Sequence, residues 1–99
     1  MALTHWGFIF TGPGNDPSRT RVVTGSKACR LTAVGVERPE QGIEVARQLV
    51  AEGVQMIELC GGFGPIWTGR ILEAIGGAVP VGAVGYGPEA IAQVNAIFS

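Results

Sequence analysis

The chain has 99 residues, of which 15% are charged and 46% apolar, and its formal net charge at pH 7 is -1. This length fits a single domain, residues 1–99, that can bury one hydrophobic core without disulfides or metals. The small net charge offers no general attraction to nucleic acid or to anionic membranes, and no apolar run reaches the roughly 20 residues that a membrane span needs.

Four apolar runs bounded by glycine or proline are predicted to be strands: His5 to Thr11, Leu31 to Val36, Val54 to Cys60 and Pro80 to Tyr86. Three of them are continuously apolar, which is typical of strands buried on both faces of a parallel sheet. The first run alternates instead, and places Trp6, Phe8 and Phe10 on one face.

The segment from Gly12 to Cys29 has no single interpretation. Asp16-Pro17 has the residue types that begin a helix, whereas the β-branched run Arg21 to Thr24 is compatible with a small edge strand. A short helix or irregular turn is favoured here, because it completes the crossover from the first strand to the second.

Three helices are predicted between and after the strands, over Glu40 to Glu52, Ile66 to Ile75 and Glu89 to Phe98. A proline stands at the start of each, at Pro39, Pro65 and Pro88, where a free N–H is not needed. Repeated strand–turn–helix units indicate βαβ crossovers. The predicted fold is therefore an α/β domain with a four-stranded, mainly parallel sheet, three flanking helices and the flavodoxin-like strand order 2-1-3-4.

The third strand exit carries the densest set of chemical groups. Glu58 lies within an apolar strand, and Cys60 follows two residues later, so period-two alternation places both side chains on one face. They are the candidate catalytic residues, because a buried carboxylate is suited to acid–base work and a thiol near a helix N-terminus to nucleophilic chemistry. Two alternatives stay open: Glu58 pairs with a backbone amide or an arginine, and Cys60 is a plain core residue.

Residues around this exit are the candidate ligand-binding set. The turn contributes the backbone N–H groups of Gly61, Gly62, Phe63 and Gly64. Two neighbouring strand exits contribute Tyr86 and Glu37 as lining residues. Helix N-termini at this edge favour a small anion. The run matches neither a Walker loop nor a Rossmann fingerprint, and no zinc-type spacing occurs, so neither a cofactor nor a metal is expected.

Low charge on so small a domain predicts apolar surface left exposed, and hence a homo-oligomer, most simply a dimer. The N-terminus, Met1 to Trp6, lacks the pattern of a signal peptide. A cytoplasmic location is therefore expected, with neither nucleic acid nor membrane as a partner.

The run Glu58-Leu59-Cys60-Gly61-Gly62-Phe63-Gly64-Pro65, with Leu31 to Val36 before it and Pro80 to Glu89 after it, resembles a family of small bacterial proteins. That family is catalogued only as a domain of unknown function. The resemblance implies a stand-alone protein of this size, and it implies no activity, substrate or catalytic residue.

Two functions follow as hypotheses. In the first, the chain binds a small anionic metabolite at the strand C-terminal edge, or is a small acid–base enzyme of the isomerase or lyase type. In the second, it is a non-catalytic oligomeric module without a small-molecule site. The surroundings of Glu58 and Cys60 discriminate between them.

Overall fold

A computed structural model describes residues 2–99 as one five-stranded sheet with three α-helices. The strands are β1 (His5–Thr11), β2 (Arg21–Gly25), β3 (Arg30–Val36), β4 (Ile57–Leu59) and β5 (Val81–Ala83). The helices are α1 (Gly42–Ala51), α2 (Gly64–Ala74) and α3 (Ile91–Phe98), and 3₁₀ turns at Pro39–Gln41 and Pro88–Ala90 precede α1 and α3. The strand order is β2-β3-β1-β4-β5, with β2 antiparallel and all other neighbours parallel.

The predicted α/β class with a mostly parallel sheet is confirmed, and the four predicted strands lie in the predicted order. The strand count is wrong, because the sheet has five strands and not four. Arg21–Gly25 forms the antiparallel edge strand β2, and not the helix or irregular turn that the crossover argument favours. A hairpin to β3 supplies backbone hydrogen-bond partners for this β-branched segment, and these partners stabilise it as a strand.

Helices α1 and α2 cover one face of the sheet and enclose the core. Alternation along β1 directs His5, Gly7 and Ile9 toward this face, where all three are buried. The core contains the following buried apolar residues: Ile9, Val34, Val36, Val45, Ala46, Leu49, Val54, Ile57, Leu59, Phe63 and Ile71. Burial of apolar area at roughly 25 cal/mol per Å² is the main stabilising term in such a core.

Gly7 allows α1 to approach the middle of β1. A Cβ atom at this position would lie 2.9 Å from Leu49 Cδ1. Gly7→Ala is therefore expected to lower the free energy of unfolding by about 1 to 3 kcal/mol through overpacking. Gly82→Ala is the control, because nothing lies within 4 Å of a Cβ atom there. Urea unfolding of both variants measures the difference, and equal losses would contradict close packing at Gly7.

The opposite face of the sheet has no helix lying across it within residues 2–99. Trp6, Phe8 and Phe10 point to this uncovered face and are only half-buried, and the Phe8 and Phe10 rings stack with centroids 6.1 Å apart. Strand pairing adds Val22, Ala33, Glu58 and Gly82 in one row with Phe8. Helix α3 has no buried residue. The three predicted helices are thus present, but only two of them pack on the sheet.

Asp16 organises the loop between β1 and β2. Its Oδ1 accepts hydrogen bonds from the Ser18 backbone N–H at 2.9 Å and the Ser18 hydroxyl at 2.8 Å. These bonds, the backbone one first, lower the pKa of the exposed Asp16 carboxyl from its ordinary value of 3.8.

The lowered Asp16 pKa has a defined consequence for stability. A depressed folded-state pKa gives a contribution that is fully present above the unfolded value of 3.8 and is lost as the pH falls through the folded value. Asp16→Asn should therefore flatten the acid limb of stability against pH, while Asp16→Glu keeps a titrating group. Urea midpoints between pH 2 and pH 6 measure this, and an unchanged acid limb in Asp16→Asn would count against it.

Candidate functional site

A cleft of about 560 Å³ opens at the carboxyl ends of β1 and β4. Its lining comes from two strand exits, the turn before α2 and the inner side of α3: Phe10, Thr11, Cys60, Gly61, Gly62, Tyr86, Val94 and Phe98. A neighbouring cavity of about 520 Å³ shares Gly61, Tyr86, Val94 and Phe98 with it and extends to Ile91. The two cavities form one groove between the sheet edge and α3.

Cys60 is held at the floor of the cleft by β1. Its backbone N–H donates to the Ile9 carbonyl at 3.0 Å, directly after the last register pair of β1 and β4, Ile9 with Leu59. The Thr11 backbone N–H donates to Cys60 Sγ at 3.3 Å, and Thr11 Oγ1 lies 3.4 Å from the same sulfur. The Cys60 sulfur thus accepts a hydrogen bond from the backbone of β1, which fixes the position of the thiol beside the Thr11 hydroxyl.

The two glycines after Cys60 present backbone to the cleft. The turn closes when the Phe63 N–H donates to the Cys60 carbonyl at 3.2 Å. The N–H groups of Gly61 and Gly62 donate to no acceptor within residues 2–99. A Cβ atom on Gly62 would overlap Thr11 Oγ1, whereas one on Gly61 would make ordinary contact with Tyr86 at 3.4 Å. Only position 62 therefore requires glycine on steric grounds.

Glu58 does not line this cleft. It lines a separate cavity of about 240 Å³ with Gly82, Ala83 and Val84, on the uncovered face of the sheet. The carboxylate is half-buried and makes no hydrogen bond or ion pair to residues 2–99. Because β4 ends at Leu59, Cys60 belongs to the turn, and strand alternation does not decide where its side chain lies.

The other predicted site residues divide into two groups. Gly61, Gly62 and Tyr86 line the cleft, and Gly64 lines the adjoining cavity. The Phe63 side chain is buried in the core, close enough to Gly42 that a Cβ atom there would lie 2.7 Å from its ring. Glu37 is exposed and lines none of these cavities, and its N–H donates to Gln41 Oε1 at 2.8 Å.

Four lining residues were not among the predicted site residues: Phe10, Thr11, Val94 and Phe98. Thr11 ends β1 at the predicted edge, so its position as a polar residue at a strand exit was an available signal. Val94 and Phe98 lie four residues apart on α3 and thus on one side of that helix. The sequence pattern predicts that this side packs in the core, and not that it lines a site.

Within the described part of the chain, residues 2–99, no charged side chain lines the cleft. Across residues 2–99, no group of three or more histidine, cysteine, aspartate or glutamate side chains is arranged to hold a metal ion. None of the helices in that range combines the length and apolar character needed to cross a bilayer. His5 lies at the other end of β1, where its Nε2 and Thr32 Oγ1 are 2.8 Å apart in a buried pair.

Comparison with known protein families assigns the chain to one of them. A family model described as "Family of unknown function (DUF6506)" matches residues 4–99. The chain belongs to this family. The expected membership of a family of unknown function is thereby confirmed over nearly the whole length. No curated protein and no solved structure matches the chain.

Proposed function

We propose that the protein binds a small molecule in the cleft at the carboxyl ends of β1 and β4. One observation carries the proposal: a concave site of about 560 Å³ brings together a thiol, a hydroxyl and two free backbone N–H groups from separate segments. Binding sites in open α/β sheets lie at this edge, and pockets of this volume are typical of small-molecule sites.

The residues that line the cleft support one class of ligand. Phe10, Val94 and Phe98 form apolar walls, which suit a flat apolar body. The N–H groups of Gly61 and Gly62 offer donors, which suit a small anionic head such as a carboxylate. With no charged side chain in the cleft, such a head is held by backbone donors and hydroxyls rather than by an ion pair.

Binding is favoured over acid–base catalysis for this site. Acid–base chemistry needs a titrating group within hydrogen-bond reach of the reacting atom. Glu58, the candidate acid–base residue, lines a different cavity from Cys60. The same observation supports the second candidate function, a non-catalytic oligomeric module in which Glu58 serves contacts rather than chemistry.

Disulfide capture at Cys60 tests the cleft directly. Cys29→Ser leaves Cys60 as the only thiol, and the protein is equilibrated with aryl-carboxylate, aryl-amine and small polar disulfide fragments under a fixed concentration of reductant. Intact-mass spectrometry measures the captured fraction. The aryl carboxylates are expected to be retained about 10-fold more strongly than the small polar fragments, in line with about 1.4 kcal/mol of added binding.

Two substitutions on α3 supply the matched comparison. Val94→Trp in the same background fills the cleft and should abolish selective capture, whereas Gln93→Trp, on an exposed neighbour that does not line the cleft, should leave it unchanged. Capture that is equal for all fragment classes, or that survives Val94→Trp, would reject the binding function and favour the oligomeric module.

A further inference from the structure

An uncovered face is unusual for a sheet whose strands are mainly parallel. All-parallel sheets are found almost only with both faces covered, because βαβ crossovers place helices on the faces. Here α1 and α2 cover one face, while the central strand β1 presents Trp6, Phe8 and Phe10 on the other. Val22 extends this face onto the edge strand, where it is 54% exposed.

Helix α3, at the end of this face, also leaves apolar side chains exposed. It is eight residues long and has no buried residue, and Ile91, Ile97 and Phe98 are among its exposed apolar side chains. A helix this short is not stable in water without tertiary packing. Glu89 is the only charged residue between Gly76 and Ser99, so this region does not select a partner by opposite charge.

The accessible surface of this chain is larger than expected for a compact monomer of its mass. A compact monomer of 10.3 kDa has an expected accessible surface of about 5,400 Å². The chain exposes 6203 Å². The excess is about 800 Å², which is the area that each partner contributes to a standard protein–protein interface.

We infer that a second copy of this chain covers the uncovered face and the α3 segment, forming a two-fold symmetric dimer. An isologous interface uses one patch on both copies, so each chain needs to supply only the area that it exposes in excess. The row of this face that contains Phe8 is apolar apart from Glu58, and an apolar patch is complementary to itself. Phe10 belongs both to the uncovered face and to the cleft, so the interface borders the cleft.

Glu58 is compatible with this arrangement. It is the only charged side chain in the row that runs from Val22 across Ala33 and Phe8 to Gly82. It lies on the β5 side, where the missing side chain of Gly82 leaves a cavity of about 240 Å³ beside the half-buried carboxylate. The carboxylate therefore lies toward the rim of the interface, where water can solvate it.

Two adjacent valines of β2 provide the test. Val22 and Val23 are both 54% exposed, but Val22 pairs with Ala33 on the uncovered face, and Val23 pairs with Thr32 on the helix-covered face. Sedimentation velocity of the full chain, at tens of micromolar, should show a dimer of about 21 kDa, twice the 10.3 kDa of one chain. Val22→Glu should weaken dimerisation by roughly 100-fold or more, because each interface would bury two unpaired carboxylates. Val23→Glu should leave it unchanged.

A second pair examines α3. Phe98→Glu should dissociate the dimer, whereas Gln93→Glu, with the same added charge on an exposed position of the same helix, should not. Far-ultraviolet circular dichroism of each variant establishes that the fold persists. A wild-type chain that is monomeric at these concentrations, or equal effects of Val22→Glu and Val23→Glu, would overturn the inference. Sedimentation measures dimerisation and capture at Cys60 measures ligand retention, so a dimer without selective capture, or selective capture by a monomer, distinguishes failure of one proposal from failure of the other.

Discussion

Gly25→Ala is expected to lower the free energy of unfolding by about 2 to 6 kcal/mol, the largest effect among the glycines considered. Gly25 ends β2 with a φ of 115°, a conformation that costs a non-glycine residue about 1 to 3 kcal/mol. A Cβ atom there would also run into the Cys29 carbonyl, a backbone atom that cannot rotate away. That overlap adds about 1 to 3 kcal/mol.

Gly14→Ala separates these two contributions. Gly14 also has a positive φ, of 79°, but nothing lies within 4 Å of a Cβ atom at that position. Its substitution should therefore cost the strain alone, about 1 to 3 kcal/mol. Urea unfolding gives both values. Equal losses at the two positions would mean that the Gly25 turn relaxes away from Cys29.

The Gly25 turn also explains why the sequence favours a helix or irregular turn over the edge strand that is its alternative at Arg21 to Thr24. Ser26 donates its N–H to the Cys29 carbonyl at 3.0 Å, and its hydroxyl accepts from the N–H groups of Ala28 and Cys29. The hairpin thus depends on one glycine and one serine rather than on an Asn-Gly or Asp-Gly pair, the strongest short signals for a hairpin. All five residues of β2 are exposed, so the strand shows no burial pattern that alternation could reveal.

The three prolines are where the sequence was most informative. Pro39 and Pro88 begin the 3₁₀ turns that lead into α1 and α3, and Pro65 lies in the first turn of α2. A residue without an N–H is stable at a helix start because no partner is needed there. This local rule holds whatever the tertiary context, and it fixed the order of strands and helices from β3 onward.

The candidate site was predicted only in part, because its position depends on which face of the sheet is covered. Continuous apolar runs indicate strands with both faces buried, but they do not reveal whether the cover comes from the same chain. Glu58 lies on the face that this chain leaves uncovered, and β4 ends before Cys60. The two side chains therefore reach different cavities despite their spacing of two residues.

Gly62→Ala is expected to have the largest effect on the cleft itself. Its Cβ atom would overlap Thr11 Oγ1. Thr11 is β-branched and has few alternative χ1 rotamers, so the hydroxyl must leave its position 3.4 Å from Cys60 Sγ. We expect a loss of about 1 to 3 kcal/mol in the free energy of unfolding. Selective capture of aryl carboxylates at Cys60 should fall about 10-fold, equivalent to about 1.4 kcal/mol.

Gly61→Ala is the matched control, because its Cβ atom makes only ordinary contact with Tyr86 at 3.4 Å and the Val84 carbonyl at 3.5 Å. It should leave stability within about 0.5 kcal/mol of wild type, as for most substitutions without a clash. Thr11→Ala removes the atom that Gly62→Ala strikes, so the second substitution should cost less in that background than alone. A double-mutant cycle measures this coupling, and additive losses would show that Gly62 acts through something other than Thr11. Coupling between the two positions would tie the glycine requirement at position 62 to the contact that holds the thiol at the floor of the cleft.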